Sequence, residues 1–165
     1  MARANGRLRV DHLALPVYDA AATLAFYSGV LELPLVEVLS GDDWGGKEWL
    51  MMIFGLDDGR QISLIAFKGV KRPRADATLP ADARHYACAV PTLAALRTWK
   101  TKLKLGGIAF SEEDHGDQRS IYFADPNGIT WEITAPPSKR AKNDKAARAR
   151  AEKWIGEHAS RKSAR

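Results

Sequence analysis

The chain has 165 residues, of which 45% are apolar, 25 are Lys or Arg and 20 are Asp or Glu, for a net charge of +5. This length suits one domain or two small fused units, and no apolar run is long enough to span a membrane. The single cysteine, Cys88, excludes an internal disulfide, and the N-terminus lacks the apolar core of a secretion signal, so we expect a cytoplasmic protein.

The positive charge is concentrated at the C-terminal end. Residues 138–165 contain ten Lys or Arg and three Asp or Glu, a balance of +7, which leaves residues 1–137 with 15 basic and 17 acidic groups, a balance of −2. A basic tail can attract phosphates, but a solvated helix explains the same composition more simply. We therefore interpret residues 1–137 as the domain and residues 138–165 as a basic helical tail, and we expect no nucleic-acid partner.

The first half of the domain reads as a strand, a helix and three further strands. Asp19 is a suitable N-cap for the helix in AAATLAFYSG, whose apolar side chains at helical spacing are Leu24, Tyr27 and Leu31. Alternating apolar residues predict strands at Leu8–Val17, Leu33–Leu39, Lys47–Phe54 and Gln61–Phe67, with GDDWGG and LDDGR as turns. Residues 68–83 hold two prolines and no periodicity, which indicates a linker.

The second half repeats this order over residues 84–135. A strand at Arg84–Val90 precedes a helix that Thr92 can cap and that Gly106–Gly107 ends. Three strands follow, the last two joined by the DPNG turn: Ile108–Ser111, Arg119–Ala124 and Ile129–Thr134. The repeat predicts an α+β fold of two βαβββ modules, the first over about residues 8–67.

Three of the predicted strands each place one ionisable residue on the face opposite their bulky apolar side chains. These residues are His12, His85 and Glu132, and each shares its face with alanine, proline or threonine. Two imidazoles and a carboxylate form a facial triad for a divalent metal with open coordination positions. The alternative is three separate polar residues lining a pocket, but their matching faces in repeated units favour a metal site.

These motifs resemble those of the vicinal oxygen chelate superfamily, which includes glyoxalases, extradiol dioxygenases, fosfomycin-resistance transferases and bleomycin-binding proteins. The resemblance covers about residues 8–135 and rests on VDHLALPVYD with LAFYSGVLELPL, on HYACAV, and on SIYFADPNGITWEI. It implies an open, barrel-like mixed sheet around a metal-binding cavity, with metal ligands on the first, fifth and last strands. His12, His85 and Glu132 occupy those positions. One divalent ion is implied, with Fe(II) or Mn(II) favoured and Zn(II) or Ni(II) as alternatives.

Other positions distinguish the subfamilies. Glyoxalase I enzymes carry a glutamate ligand on the fourth strand, where RQISLIAF places Ser63, which we assign to the substrate pocket. This departure favours a three-ligand site, as in extradiol dioxygenases and fosfomycin-resistance enzymes. Glu32 is a second departure, because relatives often have glycine just after the first helix.

The extradiol pattern of His, Ile–Tyr, Asp–Pro, Gly and Glu is matched in spacing from His115 through Tyr122 to Glu132, although Glu113 replaces a small or aliphatic residue. In extradiol dioxygenases the matching His transfers protons and the matching Tyr hydrogen-bonds the substrate, which implies catalytic roles for His115 and Tyr122. The alternative for His115 is an exposed residue in a polar loop.

The resemblance therefore implies a metal-dependent enzyme similar to extradiol dioxygenases, which binds a small-molecule substrate through two vicinal oxygens and forms a homodimer. Two alternatives stay open. One is a metal-free protein that binds a drug or metabolite, of bleomycin-resistance type. The other is a metal-dependent glyoxalase-like lyase or thiol transferase. Ser63 argues against the lyase.

Overall fold

The computed structural model of the protein describes residues 10–74, 78–80, 82–138 and 146–159. Its regular elements, in chain order, are β1 (His12–Val17), α1 (Ala20–Leu24), β2 (Leu35–Trp44), β3 (Lys47–Gly55), β4 (Gln61–Phe67), β5 (His85–Ala89), α2 (Leu93–Leu105), β6 (Phe110–Asp114), β7 (Arg119–Ala124), β8 (Thr130–Ala135) and α3 (Ala147–Ala159). α1 continues directly into a π-helical segment, Ala25–Val30.

The strands form two four-stranded mixed sheets with the same topology. The first sheet has the order β1-β4-β3-β2 and the second has the order β5-β8-β7-β6. In each sheet the first strand runs parallel to the last, and the remaining pairs are antiparallel. Each parallel pair needs a crossover connection, and the helix of each module lies within it. The predicted α+β fold of two βαβββ modules is confirmed, and both sheets are open.

Both predicted helix caps are confirmed. Asp19 accepts a hydrogen bond from the backbone N–H of Ala22 at 2.9 Å, and Thr92 accepts one from Ala95 at 3.1 Å. Each bond satisfies one of the backbone N–H groups that the first helical turn leaves unpaired. These caps fix where the helices begin and therefore which of their side chains face the core.

One apolar core joins the helix-facing sides of both sheets. Its members come from both modules and include Leu15, Val17, Tyr27, Phe54, Leu64, Leu96, Leu103, Ile121, Trp131 and Ile133. Polar bonds reinforce the junction: the Tyr27 hydroxyl donates to Asp125 Oδ2 at 3.1 Å and accepts from Trp131 Nε1 at 2.8 Å. Because the apolar faces are used in this core, the opposite faces of the sheets present the ionisable residues.

Several sequence predictions differ from the structure. The strand predicted at Ile108–Ser111 is β6 at Phe110–Asp114, which starts later and extends into the polar loop sequence. GDDWGG is not a turn throughout, because β2 extends to Trp44 and only Gly45–Gly46, both at positive φ, form the turn. Leu24 was expected among the buried helix residues but is exposed, whereas Thr23 and Phe26 are buried. The buried residues Thr23, Phe26 and Tyr27 lie at i, i+3 and i+4 on one helix face, and Leu24 lies at the edge of that face.

The tail prediction is confirmed in part. α3 forms the helix within the predicted tail, and its Trp154 and Ile155 side chains are exposed. Within the described ranges, no helix is both long enough and apolar enough to cross a membrane.

Candidate functional site

His85 and Glu132 meet on the open face of the second sheet. The parallel pairing of β5 with β8 places Glu132 opposite Ala87, which is two residues from His85 and therefore on the same face. His85 Nε2 lies 3.1 Å from Glu132 Oε2.

The tautomer of His85 follows from its second nitrogen. Nδ1 lies 2.7 Å from the backbone carbonyl of Asp82, and because a carbonyl only accepts, Nδ1 is the donor. In the neutral ring Nε2 then carries a lone pair that faces Glu132 Oε2. Two acceptors at this distance need a proton between them, on the ring or on the carboxyl group, or a cation bound to both. This donor pair fits a divalent metal, for which a histidine held through its other nitrogen is the usual arrangement.

Glu132 contacts a hydroxyl group that the sequence pattern did not predict. The residue is only 8% exposed, and Ser120 Oγ donates to its Oε1 at 2.5 Å. Thr134 Oγ1 lies 3.0 Å from Ser120 Oγ. The signal available in the sequence was parity, since Ser120 shares a face with Tyr122. Parity alone does not show which hydroxyl reaches the carboxylate.

Tyr122 and His115 lie beside the pair. The β7–β8 register places Tyr122 opposite Glu132, and its ring lies edge-on to that of His85 with centroids 5.4 Å apart. His115 Nε2 is 3.2 Å from the Tyr122 hydroxyl and 3.6 Å from Glu113 Oε2. Burial, followed by the charge of Glu132, raises the pKa of Tyr122 to about 12. The phenol is therefore protonated and able to donate at neutral pH.

His12 and Ser63 lie in the first sheet. The β1–β4 register places His12 opposite Gln61 and Ala14 opposite Ser63, so His12 and Ser63 share one face. The His12 side chain is 54% exposed, and its Nδ1 lies 2.8 Å from Asp11 Oδ1. Ser63 is buried.

A single chain therefore brings together two of the three predicted ligands. His85 and Glu132 are adjacent, with Tyr122 and His115 next to them, whereas His12 is in the other sheet. Across the described ranges, no three His, Cys, Asp or Glu side chains are grouped closely enough to hold a metal ion. The three-ligand site stays a prediction.

An open cavity of about 340 Å³ adjoins Tyr122. Its walls are mainly apolar and aromatic, with hydroxyl groups at Ser111 and Thr130: the lining residues are Asp82, Ala109, Phe110, Ser111, Tyr122, Phe123, Ala124 and Thr130. Tyr122 lines this cavity and also lies beside the His85–Glu132 pair. The cavity therefore lies beside a residue that also contacts His85 and His115.

Several solved structures share this fold. A glyoxylase/bleomycin resistance protein/dioxygenase domain from Frankia sp. EAN1pec is 22% identical, with a TM-score of 0.64 over 78% of this chain and 92% of that chain. A mutant of the fosfomycin resistance protein FosX from Listeria monocytogenes, complexed with Mn(II) and a dihydroxypropylphosphonic acid, is 18% identical, with a TM-score of 0.59 over 78% and 93%. The trypanothione-dependent glyoxalase I of Leishmania major is 18% identical, with a TM-score of 0.58 over 93% and 99%.

The comparison with curated proteins found no match. The comparison with protein families matched the glyoxalase/bleomycin resistance protein/dioxygenase model over residues 9–133, which is most of the chain and includes both modules. The matched region contains the β1 histidine, the β5 histidine and the β8 glutamate. The chain belongs to the glyoxalase/bleomycin resistance protein/dioxygenase superfamily.

Proposed function

We propose that the protein is a metal-dependent enzyme that resembles extradiol dioxygenases and binds a small-molecule substrate through two vicinal oxygens. The observation that carries this proposal is the His85–Glu132 pair. Nε2 of the imidazole, which is oriented through Nδ1, lies 3.1 Å from Oε2 of the buried carboxylate. The Tyr122 hydroxyl and His115 adjoin the pair, which supplies the further polar groups that a reaction centre needs.

The donor set fits one divalent ion. Two nitrogens and one carboxylate suit Fe(II) or Mn(II), with Zn(II) or Ni(II) as alternatives, and the related FosX fold was solved with Mn(II). The third ligand in the proposal is His12 from a second copy of the chain. Asp11 engages Nδ1 of this exposed histidine, so Nε2 is the ligand atom. The proposed assembly is therefore a homodimer in which each site takes residues from both chains.

The roles of the other residues follow from their contacts. A bound divalent ion supplies charge stabilisation to an oxyanion and a template for two adjacent oxygens. Tyr122 donates its hydroxyl proton in a hydrogen bond to a substrate oxygen, because its raised pKa keeps it protonated. His115, whose Nε2 contacts the Tyr122 hydroxyl, accepts or returns a proton at that nitrogen. Ser63, on the His12 face of the first sheet, lines the substrate pocket of the proposed dimer.

Two measurements, made one after the other, test the proposal. Protein purified without chelators is analysed for metal, and we expect about one divalent ion per chain. It is then loaded anaerobically with Fe(II) and assayed for oxygen uptake with a panel of catechols. If protein that retains its metal takes up no oxygen, the dioxygenase version is wrong. The thiol transferase and the lyase then remain, and Ser63 argues against the lyase.

The second candidate is a metal-free binding protein for a drug or metabolite. It is favoured by the placement of His12, since the described part of one chain gathers two ligands and not three. The His85–Glu132 pair would then be an ion pair at the edge of a binding pocket. Less than a tenth of an ion per chain after metal soaking, together with ligand binding that survives a chelator, would favour this candidate. For either candidate we propose a cytoplasmic location.

A further inference from the structure

A buried serine contacts one oxygen of the Glu132 carboxylate. Ser120 is 1% exposed, and its Oγ lies 2.5 Å from Glu132 Oε1. Because a carboxylate only accepts, the single hydroxyl proton of Ser120 is directed at Oε1. The other oxygen, Oε2, is the one that faces His85 Nε2. Ser120 and His85 therefore contact different oxygens of Glu132.

Ser120 is itself held in place by a second hydroxyl. Thr134 Oγ1 lies 3.0 Å from Ser120 Oγ, and both residues are buried. The Ser120 hydroxyl lies between Glu132 Oε1 and Thr134 Oγ1, and Thr134 Oγ1 in turn donates to the Arg119 carbonyl at 3.5 Å. Contacts on both sides restrict the rotamer of Ser120.

This arrangement removes freedom that a glutamate side chain otherwise has. A glutamate side chain otherwise samples several rotamers, and holding it in one during folding removes that entropy cost from metal binding. The β7–β8 register sets Ser120 opposite Thr134 and Tyr122 opposite Glu132, so Ser120 reaches the carboxylate diagonally across the sheet. The bond to Oε1 leaves Oε2 as the carboxylate oxygen that contacts His85 Nε2.

We propose that Ser120 is a positioning residue that orients Glu132 to bind a divalent cation through Oε2 alone. This inference rests on the proposed function, because it assigns Oε2 to a cation. The competing explanation is that Ser120 only satisfies a buried acceptor. The two differ in what happens to metal affinity when the hydroxyl is removed without loss of the fold.

The test uses Mn(II) as the probe and isothermal titration calorimetry on the full chain. Ser120→Ala is expected to weaken Mn(II) binding about 10- to 100-fold, the range seen when groups that orient a metal ligand are removed. Ser120→Thr keeps the hydroxyl and is expected to restore most of the affinity. The control is Thr23→Val on α1, which removes another fully buried hydroxyl. The Thr23 hydroxyl donates to the Asp19 carbonyl at 2.6 Å.

The control separates orientation from general destabilisation. Thr23→Val is expected to lower the unfolding midpoint and leave Mn(II) affinity unchanged. Equal affinity for wild type and Ser120→Ala would overturn the proposal, and so would an equal loss of affinity in Thr23→Val.

Crystal structures of the metal-free wild type and Ser120→Ala provide a readout that does not depend on metal. We expect Glu132 to leave its wild-type rotamer in the variant, so that Oε2 no longer faces His85. If wild-type protein binds no Mn(II), the proposed function fails, while the crystal structures still decide the positioning role. An unchanged Glu132 rotamer in Ser120→Ala contradicts that role.

Discussion

At the scale of single residues, burial controls the chemistry of the one cysteine. Cys88 lies on β5 with its side chain packed against the core. Burial, and then the negative charge of Asp58, raise the pKa of the Cys88 thiol above its ordinary value. A raised pKa lowers the thiolate fraction at any pH near neutrality, and only the thiolate reacts with disulfide reagents.

We therefore predict slow modification of Cys88 in the folded protein. At pH 8 its reaction with Ellman's reagent should be at least about tenfold slower than in urea-unfolded protein, where the thiol has its ordinary pKa. The favourable contribution of the neutral thiol to folding is present below the unfolded pKa and is lost as the pH rises through the folded pKa, so stability should decline above about pH 9. Equal rates in native and unfolded protein would contradict this prediction.

Single-residue patterns predicted part of the site and could not predict the rest. Alternation along β5 and β8 placed His85 and Glu132 on open faces, and the parallel pairing of these strands brings the two side chains together. The position of Tyr122 depended on the β7–β8 register, which parity leaves undetermined. The separation of His12 from the His85–Glu132 pair could not be predicted either, because parity assigns a face of a strand but not the relative placement of two sheets.

At the scale of elements, the bounds of a strand were predictable where local signals and pairing agree. β4 and β7 have the predicted bounds, because each alternates clearly and has turn residues at its ends. β2 was predicted to end at Leu39, since the Gly and Asp residues that follow disfavour strands. Pairing with β3 overrides that preference and places Gly41 opposite Trp49 and Trp44 opposite Lys47.

The end of the first helical region gives a prediction about backbone strain. Glu32 has φ 55°, a left-handed conformation that costs a residue with a side chain about 1–2 kcal/mol relative to glycine. Its carboxylate pairs with Lys102 Nζ at 2.7 Å, an exposed contact worth about 0–1 kcal/mol. Glu32→Gly relieves the strain and loses the ion pair, whereas Glu32→Ala loses the ion pair and keeps the strain.

We expect Glu32→Gly to be more stable than Glu32→Ala by about 0.5–1 kcal/mol, after allowing for the greater freedom of glycine in the unfolded chain. Urea denaturation followed by circular dichroism measures the difference. Glu32→Gln, which keeps the side-chain length and removes the charge, isolates the contribution of the ion pair. The prediction is wrong if the alanine variant equals or exceeds the glycine variant in stability.

At the scale of the whole molecule, Tyr27 ties the two modules together. Its hydroxyl joins Asp125 and Trp131 of the second module to the helix of the first. Burial and the Asp125 charge raise its pKa, so it stays a neutral phenol. Tyr27→Phe leaves the Trp131 N–H without its acceptor and should destabilise the fold by about 1–3 kcal/mol.

Urea denaturation of Tyr27→Phe should shift the midpoint while keeping a single transition by fluorescence and by circular dichroism, because one core spans both modules. Tyr86→Phe is the matched control, since the described residues give the half-buried Tyr86 hydroxyl no hydrogen bond, and it should change stability by less than about 0.5 kcal/mol. Separate transitions for the two modules would contradict the shared core.

The proposed dimer makes a prediction that a site contained within one chain cannot share. His12→Ala and His85→Ala each remove one proposed ligand, so homodimers of either variant should bind metal weakly. When the two variants are unfolded together and refolded at equal concentrations, half of the dimers should be mixed. In a mixed dimer, the His12→Ala chain keeps His85 and Glu132 and receives His12 from its partner. One of its two sites is then complete.

The mixture should therefore recover about a quarter of the wild-type metal stoichiometry, measured by elemental analysis after gel filtration. Light scattering on the same samples establishes whether they are dimers. Mixing His85→Ala with Glu132→Ala is the control, because both variants damage the same pair and no mixed dimer has a complete site. Recovery in the control, or none in a confirmed His12→Ala and His85→Ala mixed dimer, would show that the two chains do not complete one another's sites.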